Sequence, residues 1–231
     1  AKDYTLDNVK RVAKATGEWV NNLNSENPSV VIGYDCRFGG QMFLEGAAEV
    51  FASMGIKCLV TEGFVSTPMV SLACVKMNAN AGIVITASHN PPSYNGFKIK
   101  AHYGGPASPV EITKVEDFLL EEYPSYQGDY LSFKSSGMIE IIDMESMYVK
   151  AVESSFDMEL LRKDNHTWAY DAMYGAGQSV VKRLLPAAEL LHCEYNPSFM
   201  GQAPEPIHRN LTEFSQMISN SESIDSGLAT D

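Results

Sequence analysis

Three short apolar runs, "PSVVIGYD" (28–35), "IKCLVTEG" (56–63) and "AGIVITAS" (81–88), recur through the first part of the chain, each separated from the next by a segment of helical period. Their central residues are aliphatic without a polar alternation, as in strands buried on both faces of a parallel sheet. The intervening segments supply the covering helices. "LDNVKRVAKATGEWVNNL" places Val9, Val12, Ala13, Gly17 and Val20 on one stripe, and "GGQMFLEGAAEVFASMG" does the same with Leu44, Ala47, Ala48 and Phe51 before stopping at Gly55. In "STPMVSLACVKMN", Thr67 caps a helix that begins at Pro68. Strand–helix alternation at this spacing predicts βαβ units, and ligands of such sheets collect beyond the carboxyl ends of the strands.

After "NGFKIKAHYGG", the stretch "SPVEITKVEDFLLEEY" has capping-box spacing between Ser108 and Glu111, with Pro109 as the first helical residue. "YPSYQGDYLSFKSSG" is rich in Ser, Gly and Tyr and reads as a connection, which sets a domain boundary near residue 138. The alternation then resumes with a helix from about Met144 to Phe156, a strand "HTWAYD", a glycine turn, a helix "QSVVKRLL", a strand "LLHCEY", a proline-rich loop, a helix near "NLTEFSQMIS" and a last strand "GLATD". The expected fold class is therefore α/β: two consecutive domains, 1–138 and 139–231, with mixed, mostly parallel sheets. An apolar strand running into a single acidic residue, Asp231, leads to the expectation that the sequence is part of a longer chain.

Composition narrows the function classes. A formal charge of −12 and a pI near 4.8 argue against nucleic acid or an anionic membrane as partner, so an anionic substrate has to be met by local cations. Cys36, Cys58, Cys74 and Cys193 lack CxxC spacing, which points to a reduced, cytoplasmic protein. Cys58 and Cys74 lie in apolar segments and read as core; Cys36 sits among polar loop residues.

The third strand ends in "TASHNPPSYNGFKIK", residues 86–100. Asn90, Pro91 and Pro92 force a tight irregular loop, and a lone serine there ordinarily satisfies only turn hydrogen bonds. Neighbouring side chains in such a loop diverge, so Ser88 and His89 are a poor nucleophile–base pair, and neither a G-x-S-x-G elbow nor a P-loop exists. What remains is a serine among groups suited to a phosphate: His89, Asn90, Lys98 and, from the first strand end, Arg37.

The form "SHNPxxYNGFK" in this stretch resembles the phosphoserine loop of the α-D-phosphohexomutases, in particular the phosphoglucomutase/phosphomannomutase branch. "VVIGYDCRFGG" is similar to that family's first-domain strand, "WAYDAMYGAG" to its second-domain strand and glycine turn, and "PEPIHRNLTEF" to the loop and helix that follow. The resemblance implies an intramolecular phosphotransferase that interconverts hexose 1-phosphate and hexose 6-phosphate of glucose or mannose. It further implies that Ser88 carries the phosphoryl group and that a hexose 1,6-bisphosphate is the intermediate. It implies Lys98 as acid or base, with a charge clamp as the alternative, His89 at the phosphate or sugar, and Arg37 and Asn90 at the phosphate. The bland reading of Arg37 is a surface pair with Asp35.

The family's Mg²⁺ sits on the phosphoserine and a D-x-D-x-D-R loop. In this sequence Ser88 and Asp231 are the matching ligands, while the loop's other carboxylates and its arginine are absent, as are the family's opening G-x-R segment and its third and fourth domains. The second domain is thus expected to be cut at the start of its metal loop, and this chain alone to fold without turning over substrate. Asn95 and Gly96 shape the turn that returns Lys98, Lys100 is a solvated lysine, and Gly175 and Gly177 form a strand-to-helix turn rather than an anion nest. His102, His166, His192 and His208 show no metal spacing. Two rival readings are a non-catalytic α/β module that binds a phosphosugar or a partner, and transfer to a phosphorylated amino sugar.

Overall fold

The computed structural model describes residues 4–163 and 166–231. They divide into two compact units: the first comprises 4–35, 39–86 and 95–144, the second 36–38, 87–94, 145–163 and 166–231.

The first unit is built on a five-stranded sheet of order β4-β3-β1-β2-β5. Strands β1 (Ser29–Tyr34), β2 (Lys57–Val60), β3 (Ala81–Ile85) and β5 (Ile139–Ile141) run parallel, and β4 (Phe97–Ala101) pairs antiparallel with β3, Lys98 opposite Val84. Helices α1 (Leu6–Asn21), α2 (Gly40–Ser53), α3 (Thr67–Lys76) and α4 (Pro109–Asp117) complete the layers. The core gathers the stripes read from sequence: Val9, Ala13 and Val20 of α1 and Leu44, Ala47, Ala48 and Phe51 of α2 pack with Val30, Ile32 and Ile83 of the sheet. The capping box at Ser108 and Glu111 is present in both directions.

Three details differ from the pattern in the sequence. Ser66, not Thr67, holds the N-cap position of α3, and Thr67 is already helical, with Pro68 second. The expected connection before residue 138 contains helix α5 (Tyr130–Ser135), and β5, just past that boundary, adds to the first sheet beside β2. The strand expected over 190–195 is β7 (Glu189–Leu191), because His192 turns to a positive φ and ends it.

The second unit holds α6 (Met144–Ser155, whose first residue closes the first unit), α7 (Met158–Leu161), α8 (Gln178–Leu184) and α9 (Thr212–Ser219) with a parallel sheet of order β7-β6-β8, where β6 is Trp168–Asp171 and β8 is Ser226–Ala229. Its apolar centre is small: Tyr170, Ala172 and Cys193 with Val181 against them. Among the described residues no helix is long and apolar enough to cross a membrane.

Candidate active site

Beyond β3 the chain makes a turn in which the Asn90 N–H donates to Ala87 O at 3.1 Å and Asn90 Nδ2 donates to the same oxygen at 2.8 Å. Ser88, in the first central position, has φ +53°, a left-handed conformation that a residue with a Cβ adopts at some cost. Its side chain is half-buried, whereas His89 and Asn90 are exposed. Ser88 Oγ donates to Asp231 Oδ2 at 3.2 Å.

Arg37, expected at a phosphate or in a surface pair with Asp35, does not lie at the surface. It is buried, and its terminal nitrogens donate to four carbonyl oxygens of this loop: Nη2 to Ser88 O at 2.5 Å and Asn90 O at 2.7 Å, Nη1 to Pro91 O at 2.8 Å and Tyr94 O at 3.1 Å. Both terminal nitrogens of the guanidinium are thereby directed at backbone. Asn90 likewise spends its amide on the turn. Cys36, among polar loop residues in sequence, is buried, with Gln178 Nε2 3.8 Å from its sulfur.

In the first unit Lys98 is exposed on β4, and Asp35 accepts a 2.6 Å hydrogen bond from Thr86 Oγ1. Lys100 is half-buried rather than freely solvated, and burial together with the charge of Lys98 lowers its pKa. Gly96 is required by close approach: a Cβ there would stand 2.7 Å from Thr86 O. The Gly96 N–H is held by Asn95 Oδ1 at 2.8 Å, consistent with a geometric role for both residues.

A second polar cluster lies at the carboxyl end of β6. Asp171, 1% exposed, accepts from the Met173 N–H at 2.8 Å and lies 3.0 Å from His192 Nδ1, while His192 Nε2 lies 3.4 Å from Glu213. Met173, His192 and Glu213 border a cleft of about 330 Å³ that also touches Tyr174, Phe199 and Arg209. Met173, Tyr174, His192, Phe199 and Met200 around it all have positive φ, which concentrates backbone strain at one place. Sequence spacing passes over His192, but a signal exists: "WAYD" ends in Asp171 as "VIGYD" ends in Asp35. Gly175 lies by Asp231, whose carbonyl carbon a Cβ would meet at 2.9 Å, and neither Gly175 nor Gly177 has the positive φ of a nest.

As a magnesium site, Ser88 and Asp231 offer one hydroxyl and one carboxylate. Among the described residues no group of three or more His, Cys, Asp or Glu side chains could hold a metal ion, so the set falls short of the octahedral oxygen shell that Mg²⁺ takes.

The family model for phosphoglucomutase/phosphomannomutase alpha/beta/alpha domain I matches residues 1–125, and that for domain II matches 146–231. The chain belongs to the phosphoglucomutase/phosphomannomutase family. It is 27% identical over 94% of its length to a phosphoglucomutase/phosphomannomutase of Thermococcus kodakarensis, covering 47% of that relative. It is 26% identical over its whole length to a phosphoglucosamine/phosphogalactosamine mutase of Sulfurisphaera tokodaii, covering 50% of it. Among solved structures, a putative phosphomannomutase from Thermus thermophilus superposes with a TM-score of 0.86 at 30% identity, over 100% of this chain and 52% of that one. The chain thus spans about half the length of these relatives in the family.

Proposed function

We propose that this chain is the phosphoryl-carrying part of a phosphohexomutase that interconverts hexose 1-phosphate and hexose 6-phosphate. The observation that carries the reading is the ordered match of both family domains along the chain, with Ser88 in a half-exposed turn beyond β3. In the forward half-reaction the phosphorus–oxygen bond to Ser88 Oγ breaks as one forms to the sugar's free hydroxyl. The hydroxyl proton passes to a general base, the role proposed for Lys98. The hexose 1,6-bisphosphate then presents its other phosphate, and Ser88 Oγ takes that phosphoryl group back while the departing sugar oxygen is protonated. His89 contacts the phosphate or sugar, and Asn90 keeps the turn closed beside it. Positioning and charge stabilisation supply most of the catalysis in such a transfer.

The reading assigns Mg²⁺ to the complete protein, where it would neutralise charge on the phosphoryl oxygens, with Asp231 giving one ligand. It also includes a cytoplasmic location. The relatives' names span hexose and amino-hexose phosphates, so the sugar is set here only as a phosphorylated hexose. The short donor set at Ser88 and Asp231 favours a second reading for this chain by itself, a phosphosugar-binding module without turnover.

Phosphopeptide mass spectrometry on the full-length gene product, before and after glucose 1,6-bisphosphate and magnesium, separates the two. A phosphoryl group on Ser88 that is lost on adding hexose monophosphate supports the mutase. An unmodified Ser88 under both conditions leaves the binding module.

A further inference from the structure

Arg37 is 2% exposed, and its terminal nitrogens donate to backbone. The carbonyls of Ser88, Asn90, Pro91 and Tyr94 converge on one guanidinium at 2.5–3.1 Å, so the loop is curled around it. Carbonyl oxygens turned inward by an irregular loop have no ladder partners, and each needs a donor. The guanidinium is a rigid planar fork and fixes the direction of every bond it makes, which a lysine ammonium does not. The Phe199 ring centroid lies 5.1 Å from Arg37 Cζ, at cation–π distance. Phe199 is itself buried in a strained turn in which Phe199, Met200 and Gly201 all have positive φ, closed by the Gly201 N–H to Ser198 O at 2.7 Å.

We propose that Arg37 is the positioning residue for Ser88: by holding the Ser88 carbonyl and its neighbours from inside the loop, it sets the left-handed backbone at Ser88 and hence the direction of Oγ, with Phe199 as its backing. The inference rests on the reading that Ser88 carries the phosphoryl group. Arg37 then acts without touching the phosphate.

The test compares Arg37→Lys and Phe199→Leu with the wild type, as full-length gene product, by two readouts. The first is amide hydrogen exchange at Asn90 and Tyr94 against the amides of β3. The second is the rate constant and half-saturation for Ser88 phosphorylation by glucose 1,6-bisphosphate. Arg37→Lys is expected to speed loop exchange at least about tenfold with β3 unchanged. It should also lower the phosphorylation rate constant about 100-fold, the scale of a small misplacement of reacting atoms, at similar half-saturation. Phe199→Leu, which removes the ring but none of the donors, should give the same pattern at smaller size, about threefold in loop exchange and about tenfold in rate. Unchanged loop exchange in Arg37→Lys, or a loss confined to half-saturation as for a phosphate contact, overturns the proposal. If Arg37→Lys does not fold, unchanged exchange and rate in Phe199→Leu overturn it. A wild type that takes no phosphoryl group on Ser88 sinks the mutase reading, and the exchange readout then decides the clamp separately.

Discussion

Ser88 Oγ and Asp231 Oδ2 meet at 3.2 Å, so the serine hydroxyl beyond β3 donates to the carboxylate beyond β8. A hydroxyl–carboxylate bond of full strength is shorter, about 2.6 Å, so this one holds the pair only loosely. Phosphorylation would replace the donor by oxygens carrying about −1.5 to −2 charge and set them against the carboxylate. A cation between them then becomes favourable. Titration calorimetry should show no magnesium binding to the unphosphorylated chain at about 1 mM, and a gain of at least about tenfold in affinity after phosphorylation. Asp231→Asn should remove most of that gain; tight binding before phosphorylation would contradict the geometry.

Glu49 on α2 collects three donors: Lys10 Nζ at 3.1 Å, Tyr126 OH at 2.7 Å and the Tyr130 N–H at 3.1 Å. It thereby ties α1, the segment before α5 and the first residue of α5 to α2. Glu49→Ala strips a partly buried tyrosine and a backbone amide of their acceptor, and should cost about 2 kcal/mol in urea unfolding. Glu49→Gln, which keeps an acceptor, should cost less than half as much. Equal losses would mean that charge rather than hydrogen bonding governs the knot.

Burial pushes the Cys74 thiol up from 9.0 to about 11 and takes Cys58 beyond the ordinary thiol range. The reactive thiolate is thus suppressed in the folded chain, and iodoacetamide at about pH 8 should leave both unmodified until urea is added. The same shift sets the sign of an alkaline effect. Below the unfolded thiol's pKa both states are protonated and the stabilisation is whole; above about pH 9 only the unfolded thiol ionises, so stability falls with rising pH until Cys74 titrates near 11. Cys74→Ala should flatten its part of that slope.

Asp171 is nearly sealed from solvent and satisfies both the Met173 N–H and His192. Asp171→Ala leaves those partners unmatched and should lower stability by about 1–3 kcal/mol, with faster amide exchange in β6 and β7. Asp171→Asn keeps one acceptor oxygen and should keep most of the protection. Protection in Asp171→Ala equal to wild type would show that the cluster is not a structural anchor.

The elements that the sequence displays clearly are those whose causes are local. The stripe on α2 and the Ser108 capping box depend on residues three or four apart, and both are present as read. β5 is different: "IEI" is too short to declare itself, and it is a strand only because β2 offers an unpaired edge. His192 escapes the reading for a similar reason. Asp171 and Glu213 each stand 21 residues from it, and only the fold brings them within 3.4 Å.

The sequence by itself determined the α/β class, the strand ends where polar residues collect and the loop that carries Ser88, because hydrophobic period, caps and turn residues act over a few positions. Tertiary structure decided what Arg37 does. Its partners lie 51 to 57 residues away, and their carbonyls converge only once the φ and ψ of an irregular loop are fixed, a property that no side-chain pattern records.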